Sequence, residues 1–115
     1  MNKIEKNGQA GRIPGMEANK SVVRKAGARS RRLERVVKGF ANHRRIEILE
    51  LLKKKPDMSV GEISIATEIE LKTTSEHLRR LTIAGLILKR YEGREVRHTL
   101  TPTARKALTF LRMLA

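Results

Sequence analysis

Leu33, Val36, Val37 and Phe40 fall at i, i+3, i+4 and i+7, one apolar stripe that predicts a helix ending near Gly39. Asn42 is a good N-cap for a second helix with Ile46, Leu49 and Leu52 on one face, broadened by Ile48 and Leu51. Lys53, Lys54 and Lys55 complement the negative end of its dipole, and Pro56 stops it. Ser59 and Glu62 have the spacing of a capping box, so a short third helix opens there with Val60, Ile63 and Ala66 inward. A break at Glu68–Leu71 precedes a fourth helix, Lys72 to about Ala84. Its apolar residues are Leu78, Leu81 and Ile83, and Gly85 closes it.

After Gly85 the period changes from 3.6 to 2. Leu86, Leu88, Val96 and Leu100 alternate with polar residues on either side of Glu92-Gly93, which predicts a β-hairpin turning at that pair. Thr101-Pro102 then opens a last helix carrying Ala104, Ala107, Leu108, Leu111 and Leu114 on one face. The result is a mainly α fold with a small β-hairpin, in the order α-α-α-α-β-β-α of a winged helix-turn-helix, spanning residues 29–115. Residues 1–28 have no apolar period and contain Gly8, Gly11, Gly15, Gly27 and Pro14. Such a segment buries too little surface to offset its ordering entropy, so a largely disordered basic arm is expected there.

Composition turns this scaffold toward a polyanion. In 115 residues, 26 Lys and Arg face 12 Asp and Glu, a formal charge of +14. Nine basic and two acidic residues lie within 1–32, so the arm is suited to lying along phosphates or in a minor groove. The absence of cysteine excludes a disulfide framework and a thiolate metal site. No apolar run approaches the roughly 20 residues that cross a bilayer, and Met1–Ala10 is polar, without a signal-peptide core. A cytoplasmic, nucleoid location is expected. Asp57 is the only aspartate, and no glycine-rich phosphate loop, paired carboxylates or Ser/His/Asp spacing supports an enzyme. With Phe40, Tyr91 and Phe110 as the only aromatics, no stacking platform for single strands is available.

The stretches FANHRRIEILELL (40–52), SVGEI (59–63), TTSEHLRRLTIAGLI (73–87) and YEGREVRHTLTP (91–102) resemble the ArsR-type winged-helix repressors over about 33–115. The resemblance implies a homodimer built from the first and last helices, the fourth helix in the DNA major groove, and the hairpin as a wing on the backbone. Leu33, Val36, Val37, Ala107, Leu108, Leu111 and Leu114 are then the expected dimer contacts. Metal-sensing members carry two cysteines at the positions of Ser59 and Gly61, and others use carboxylate and histidine pairs on the last helix, which residues 102–115 lack. His43, His77 and His98 lie on three elements with no i, i+4 pair, so neither metal nor other cofactor is expected.

A groove-entering helix leads with its N-terminal turns, where side chains reach base edges and free N–H groups meet phosphate. Lys72, Thr73, Thr74, Ser75, Glu76 and Arg79 are the candidates, with Arg79 and Arg80 better placed as phosphate clamps. Thr and Ser at a helix start are also ordinary caps; the surrounding basic residues favour a binding role. Glu76 is unusual beside phosphates, and a pair with Arg79 or Arg80 is expected to hold it. Glu70 stands where a Ser or Thr cap is usual. On the hairpin, Arg90, Arg94 and Arg97 flank the turn and suit phosphate contact. The expected function is sequence-specific double-stranded DNA binding by a non-metal-sensing regulator, a repressor, whose effector the sequence does not identify. The alternative is a sequence-indifferent nucleoid or ribosome-associated protein on the same fold.

Overall fold

The computed structural model describes residues 16–115, with side chains from Asn19 onward. Seven elements follow in order: α1 (Met16–Phe40), α2 (His43–Lys54), α3 (Val60–Thr67), α4 (Leu71–Ile83), β1 (Ile87–Glu92), β2 (Glu95–Leu100) and α5 (Pro102–Leu114). The chain divides into two units, Met1–Leu33 and Glu34–Ala115.

The caps form where the sequence places them. The Asn42 Oδ1 accepts from the Arg44 and Arg45 amides at 2.9 and 3.2 Å. Ser59 and Glu62 make both halves of a capping box, and the Thr101 hydroxyl accepts from the Ala104 amide with Pro102 in the first turn of α5. At the start of α4, Glu70 makes no side-chain cap. At its end the Leu86 amide donates to the Leu81 carbonyl and the Gly85 amide to that of Thr82, with Gly85 at φ 76°. These are the paired bonds of a Schellman motif.

The second unit has one aliphatic core. Ile48, Leu49 and Leu52 of α2 meet Ile63 of α3, Leu78 and Leu81 of α4, Leu86, Ile87 and Leu100 of the hairpin, and Ala104 and Leu108 of α5. Each fully buried Leu or Ile contributes about 1.5–3 kcal/mol relative to exposure, so this cluster fixes how α3 and α4 are presented. Phe40, where α1 ends, is the core's one aromatic residue.

Three expectations change. Residues 16–28 are helical, continuous with α1; Met, Glu, Ala, Lys and Arg are strong helix formers, and local propensity outweighs the missing apolar period. Val22 and Val23 are exposed, so burial does not hold that part of the helix. Residues 1–15, the rest of the expected arm, lie outside the described residues. In β1, Ile87 is buried and Leu88 exposed, a slip of one position that exchanges the faces of that strand, whereas Leu86 and, in β2, Leu100 are buried as expected and Val96 is half-buried. The register pairs Ile87 with Leu100 and Glu92 with Glu95, so the turn is Gly93-Arg94. Gly93, at φ 61°, takes the first central position, which suits the twist of a two-residue hairpin. Ala66, expected inward, is exposed.

Candidate nucleic-acid interface

The leading turns of α4 present Lys72, Thr73, Ser75 and Glu76 to solvent, followed by Arg79 and Arg80. Thr73 Oγ1 donates to Glu70 Oε1 at 3.2 Å, an exposed bond that a base or phosphate can replace. Thr74 is a correction. It is 0% exposed, and its hydroxyl donates back to the carbonyls of Glu70 (2.9 Å) and Ile69 (3.3 Å), so it fastens the α3–α4 turn and touches no duplex. The i−4 carbonyl takes the hydroxyl because this face of the first turn is turned into the core.

Glu76 holds both arginines that follow it. Arg79 donates through Nε at 3.0 Å and through a terminal nitrogen at 2.8 Å, and Arg80 Nε donates at 2.9 Å. The Arg79 hydrogen bonds are the main cause, with the charges of Arg79 and Arg80 adding to them, that the Glu76 carboxyl is lowered to about 2. The expected intrahelical pair is therefore present with both partners. At physiological pH the outer face of α4 carries a carboxylate neutralised by two guanidinium groups.

The wing arginines separate into two kinds. Arg97 has only 23% of its side chain exposed, and its guanidinium is taken up by Glu62 (3.0 Å), Glu95 (2.9 Å), Glu92 (3.4 Å) and the Asp57 carbonyl (3.3 Å). Glu62 is also the acidic half of the α3 capping box, with its carboxyl pulled down first by the Ser59 backbone bond. Arg97 thus ties the wing to the start of α3 rather than standing open to a phosphate. Arg90 is shared between Asp57 (3.4 Å) and Glu92 (3.8 Å). Arg94, in the turn, pairs with no carboxylate among the described residues. Sequence reasoning missed Asp57 and Glu62 as partners because they lie more than thirty residues along the chain from the arginines they meet, Arg90 and Arg97.

The wing is anchored a second time at its base. Met58 forms an antiparallel bridge with His98; the His98 amide donates to the Met58 carbonyl at 2.9 Å, and the Asp57 amide to the His98 carbonyl at 3.0 Å. His98 Nδ1 also lies 2.9 Å from the Met58 carbonyl, which can only accept, so Nδ1 carries the proton. The three histidines stand on α2, α4 and β2, and among the described residues no group of three His, Cys, Asp or Glu could hold a metal ion.

Of the expected dimer contacts, Ala107 and Leu108 are covered within the protomer, against its own core. Val36 and Leu111 are partly covered, and Leu33, Val37 and Leu114 are open. Phe110 and Met113 of α5 are open as well, 54% and 78% exposed, and were not among the expected contacts. They lie beside the stripe read from the sequence, which is the face α5 turns toward α2.

Residues 42–89 match the model of the bacterial regulatory protein, arsR family. The transcriptional activator HlyU of Vibrio cholerae is 38% identical over 73 residues, covering 64% of this chain and 67% of that protein. The solved structure of reduced HlyU from Vibrio cholerae superposes with a TM-score of 0.69 at 31% identity, over 78% of this chain and 95% of that one. The homodimeric winged helix-turn-helix DNA-binding domain of Mb0332 from Mycobacterium bovis superposes with a TM-score of 0.70 at 29% identity, over 76% and 82%.

Proposed function

The chain belongs to the bacterial regulatory protein arsR family and is a DNA-binding winged-helix transcription regulator; from that premise we propose that it reads a particular duplex sequence as a homodimer and does so without a metal. The observation that carries the reading is the start of α4, where Lys72, Thr73 and Ser75 stand exposed on a helix whose opposite face is locked into the core. Short hydroxyl side chains there allow close approach to base edges, and Lys72 and the free N–H groups of the first turn meet phosphate. Arg94 at the tip of the wing, with Arg90 behind it, reaches the backbone. The cations of residues 1–32 add attraction that does not depend on sequence.

Dimerisation through α1 and α5 is supported by the open apolar residues Leu33, Val37, Phe110, Met113 and Leu114 and by the homodimeric state of the Mb0332 domain. Metal independence is supported by the donor set. Ser59 and Gly61 offer no thiolate, and α5 carries no histidine or carboxylate. Repression by occupying promoter DNA is the output we assign, although the Vibrio cholerae relative is named an activator. No helix of the described residues is long and apolar enough to cross a membrane, and we place the protein on the nucleoid in the cytoplasm.

Selection of bound duplexes from random DNA at physiological salt tests the reading. It should enrich a palindrome with half-sites about one or two helical turns apart, equally with and without a zinc chelator. A pool that stays random after repeated rounds would instead support the nucleoid-protein alternative. In a reporter strain, deletion of the protein should raise transcription from a promoter overlapping that palindrome; a fall would assign activation.

A further inference from the structure

Behind the outer face of α4, the end of α1, the start of α2 and the second half of α4 enclose a cleft of about 220 Å³. Its walls carry Arg35 and Lys38 of α1, Arg45 of α2, and Arg79 and Arg80 of α4, over a floor that includes Gly39. Five cations thus converge on one small volume. Among the described residues two carboxylates pair with them: Glu76, already shared by Arg79 and Arg80, and Glu34, which pairs with Lys38 along α1 at 2.9 Å. Neither pairs with Arg45, although the charge of Glu76 is felt there. Its Nε is buried and has no hydrogen-bond partner, whereas the neighbouring Arg44 is satisfied by Glu47 at 2.9 Å.

A guanidinium N–H buried without an acceptor costs free energy, more than a neutral group would, unless something fills the place. Burial first, then the charge of Arg80, lowers the Arg45 guanidinium from its usual range against the opposing charge of Glu76. His77, next to it on α4, is lowered first by burial and then by Arg45, and its Nδ1 is likewise buried and unpartnered. Gly39 leaves the floor low, because a Cβ there would collide with that of Ala84.

We propose that this cleft is a phosphate site, with Arg45 at its base and Lys38, Arg35 and Arg80 around its rim. A phosphate oxygen would accept from the terminal nitrogens of Arg45 and of the rim arginines, the fork geometry that guanidinium groups offer to phosphate. An anion there also competes with Glu76 for Arg80, so occupancy is coupled to the charge that α4 shows to a duplex. The phosphate has two possible sources, the backbone of a bound duplex flanking α4 or a free phosphate-bearing small molecule. The first source rests on the DNA-binding reading above; the second does not.

The test follows the Nε–Hε resonance of Arg45 and the Thr73 amide by NMR in the labelled full chain. Inorganic phosphate and a short random-sequence duplex are the two probes, with chloride at matched ionic strength as reference. Arg45 should shift saturably with at least one probe and not with chloride. Lys38→Gln and Arg80→Gln should each weaken that response about tenfold, the loss of one charge-assisted hydrogen bond, whereas Arg94→Gln should leave the response to inorganic phosphate unchanged. Lys38 is on the surface, so Lys38→Gln keeps the test independent of folding. A shift with duplex alone assigns the DNA backbone, and a shift with phosphate alone assigns a free ligand. Movement of Thr73 by duplex while Arg45 ignores both probes, or an equal response to chloride, overturns the phosphate site. A duplex that moves neither residue, with phosphate still moving Arg45, would count against the DNA reading and leave this one standing.

Discussion

Thr73 and Thr74 show how far a single residue's role can be read from its type. Both are hydroxyl residues in the first turn of α4, yet one is open to solvent and the other is sealed against the Glu70 and Ile69 carbonyls. The difference depends on the path of the α3–α4 turn, which residue types alone do not reveal. The pairing of Glu76 with Arg79 and Arg80 was legible because i+3 and i+4 neighbours meet on any helix. Arg97 was not, since its partners are distant in sequence. The turn between α3 and α4 also places Glu68 at φ 57°, in the left-handed region, although it has a side chain. Glu68→Gly should therefore stabilise the fold by about 0.5–1 kcal/mol, relief of strain less the entropy that glycine loses. A higher urea midpoint is the expected result, and a lower one would show that the side chain matters more than the strain.

His98 supplies a pH dependence at the same scale. Burial, the largest influence, holds its imidazole below the usual histidine range over the opposing pull of the Met58 bond, and Lys89 adds to the depression. An unfolded chain then binds a proton at a pH where the folded one does not, so stability falls as pH drops below about 6.5 and levels off below the folded pKa. His77, depressed by burial and the nearby arginines, adds in the same direction. His98→Gln should flatten part of the slope in unfolding measurements between pH 7.5 and roughly 5. An unchanged slope would mean that His98 does not set the pH dependence.

At the scale of elements, the helix caps and the order α-α-α-α-β-β-α were legible because capping residues and the change of period are local signals. The inward face of β1 was not. Leu86, Ile87 and Leu88 are all apolar, and which of them faces the core depends on where the α4 cap releases the chain. Nor was the beginning of α1, where helix propensity acts without burial. Within the second unit the end of α1 meets the end of α4 closely: Gly39 abuts Ala84 so tightly that a methyl on Gly39 would overlap it. Gly39→Ala should cost about 1–3 kcal/mol in thermal or urea unfolding, as overpacking does. Adding Ala84→Gly should recover much of that loss, a coupling that a double-mutant cycle isolates. Additive losses would mean that the Gly39–Ala84 approach does not set this junction.

For the whole molecule, charge and size pointed to a nucleic-acid partner, while the seam between protomers was only half legible. Apolar periodicity marks the face that α5 buries, and it cannot distinguish burial in the same chain from burial in a second one. Ala107 and Leu108 satisfy the first; Phe110 and Met113 remain open for the second. Met113→Glu leaves the protomer core untouched and places a charge in the proposed seam, where its desolvation would be costly. Sedimentation should show a dimer for the parent chain and a monomer for the variant. A parent chain that is monomeric at high micromolar concentration would contradict the dimer and, with it, the palindromic site.

The central claim is that α4 reads sequence while the wing only holds the backbone. It is tested most directly by titrating Thr73→Ala and Arg94→Ala against the selected duplex and a scrambled one across a salt series. Thr73→Ala should cost about 1–3 kcal/mol per site on the selected duplex and little on the scrambled one. Arg94→Ala should weaken both and reduce the slope of log K against log salt by about one unit for each phosphate that the wing no longer neutralises. If Thr73→Ala weakens the two duplexes equally, α4 is not a reader, and the protein binds DNA by charge alone.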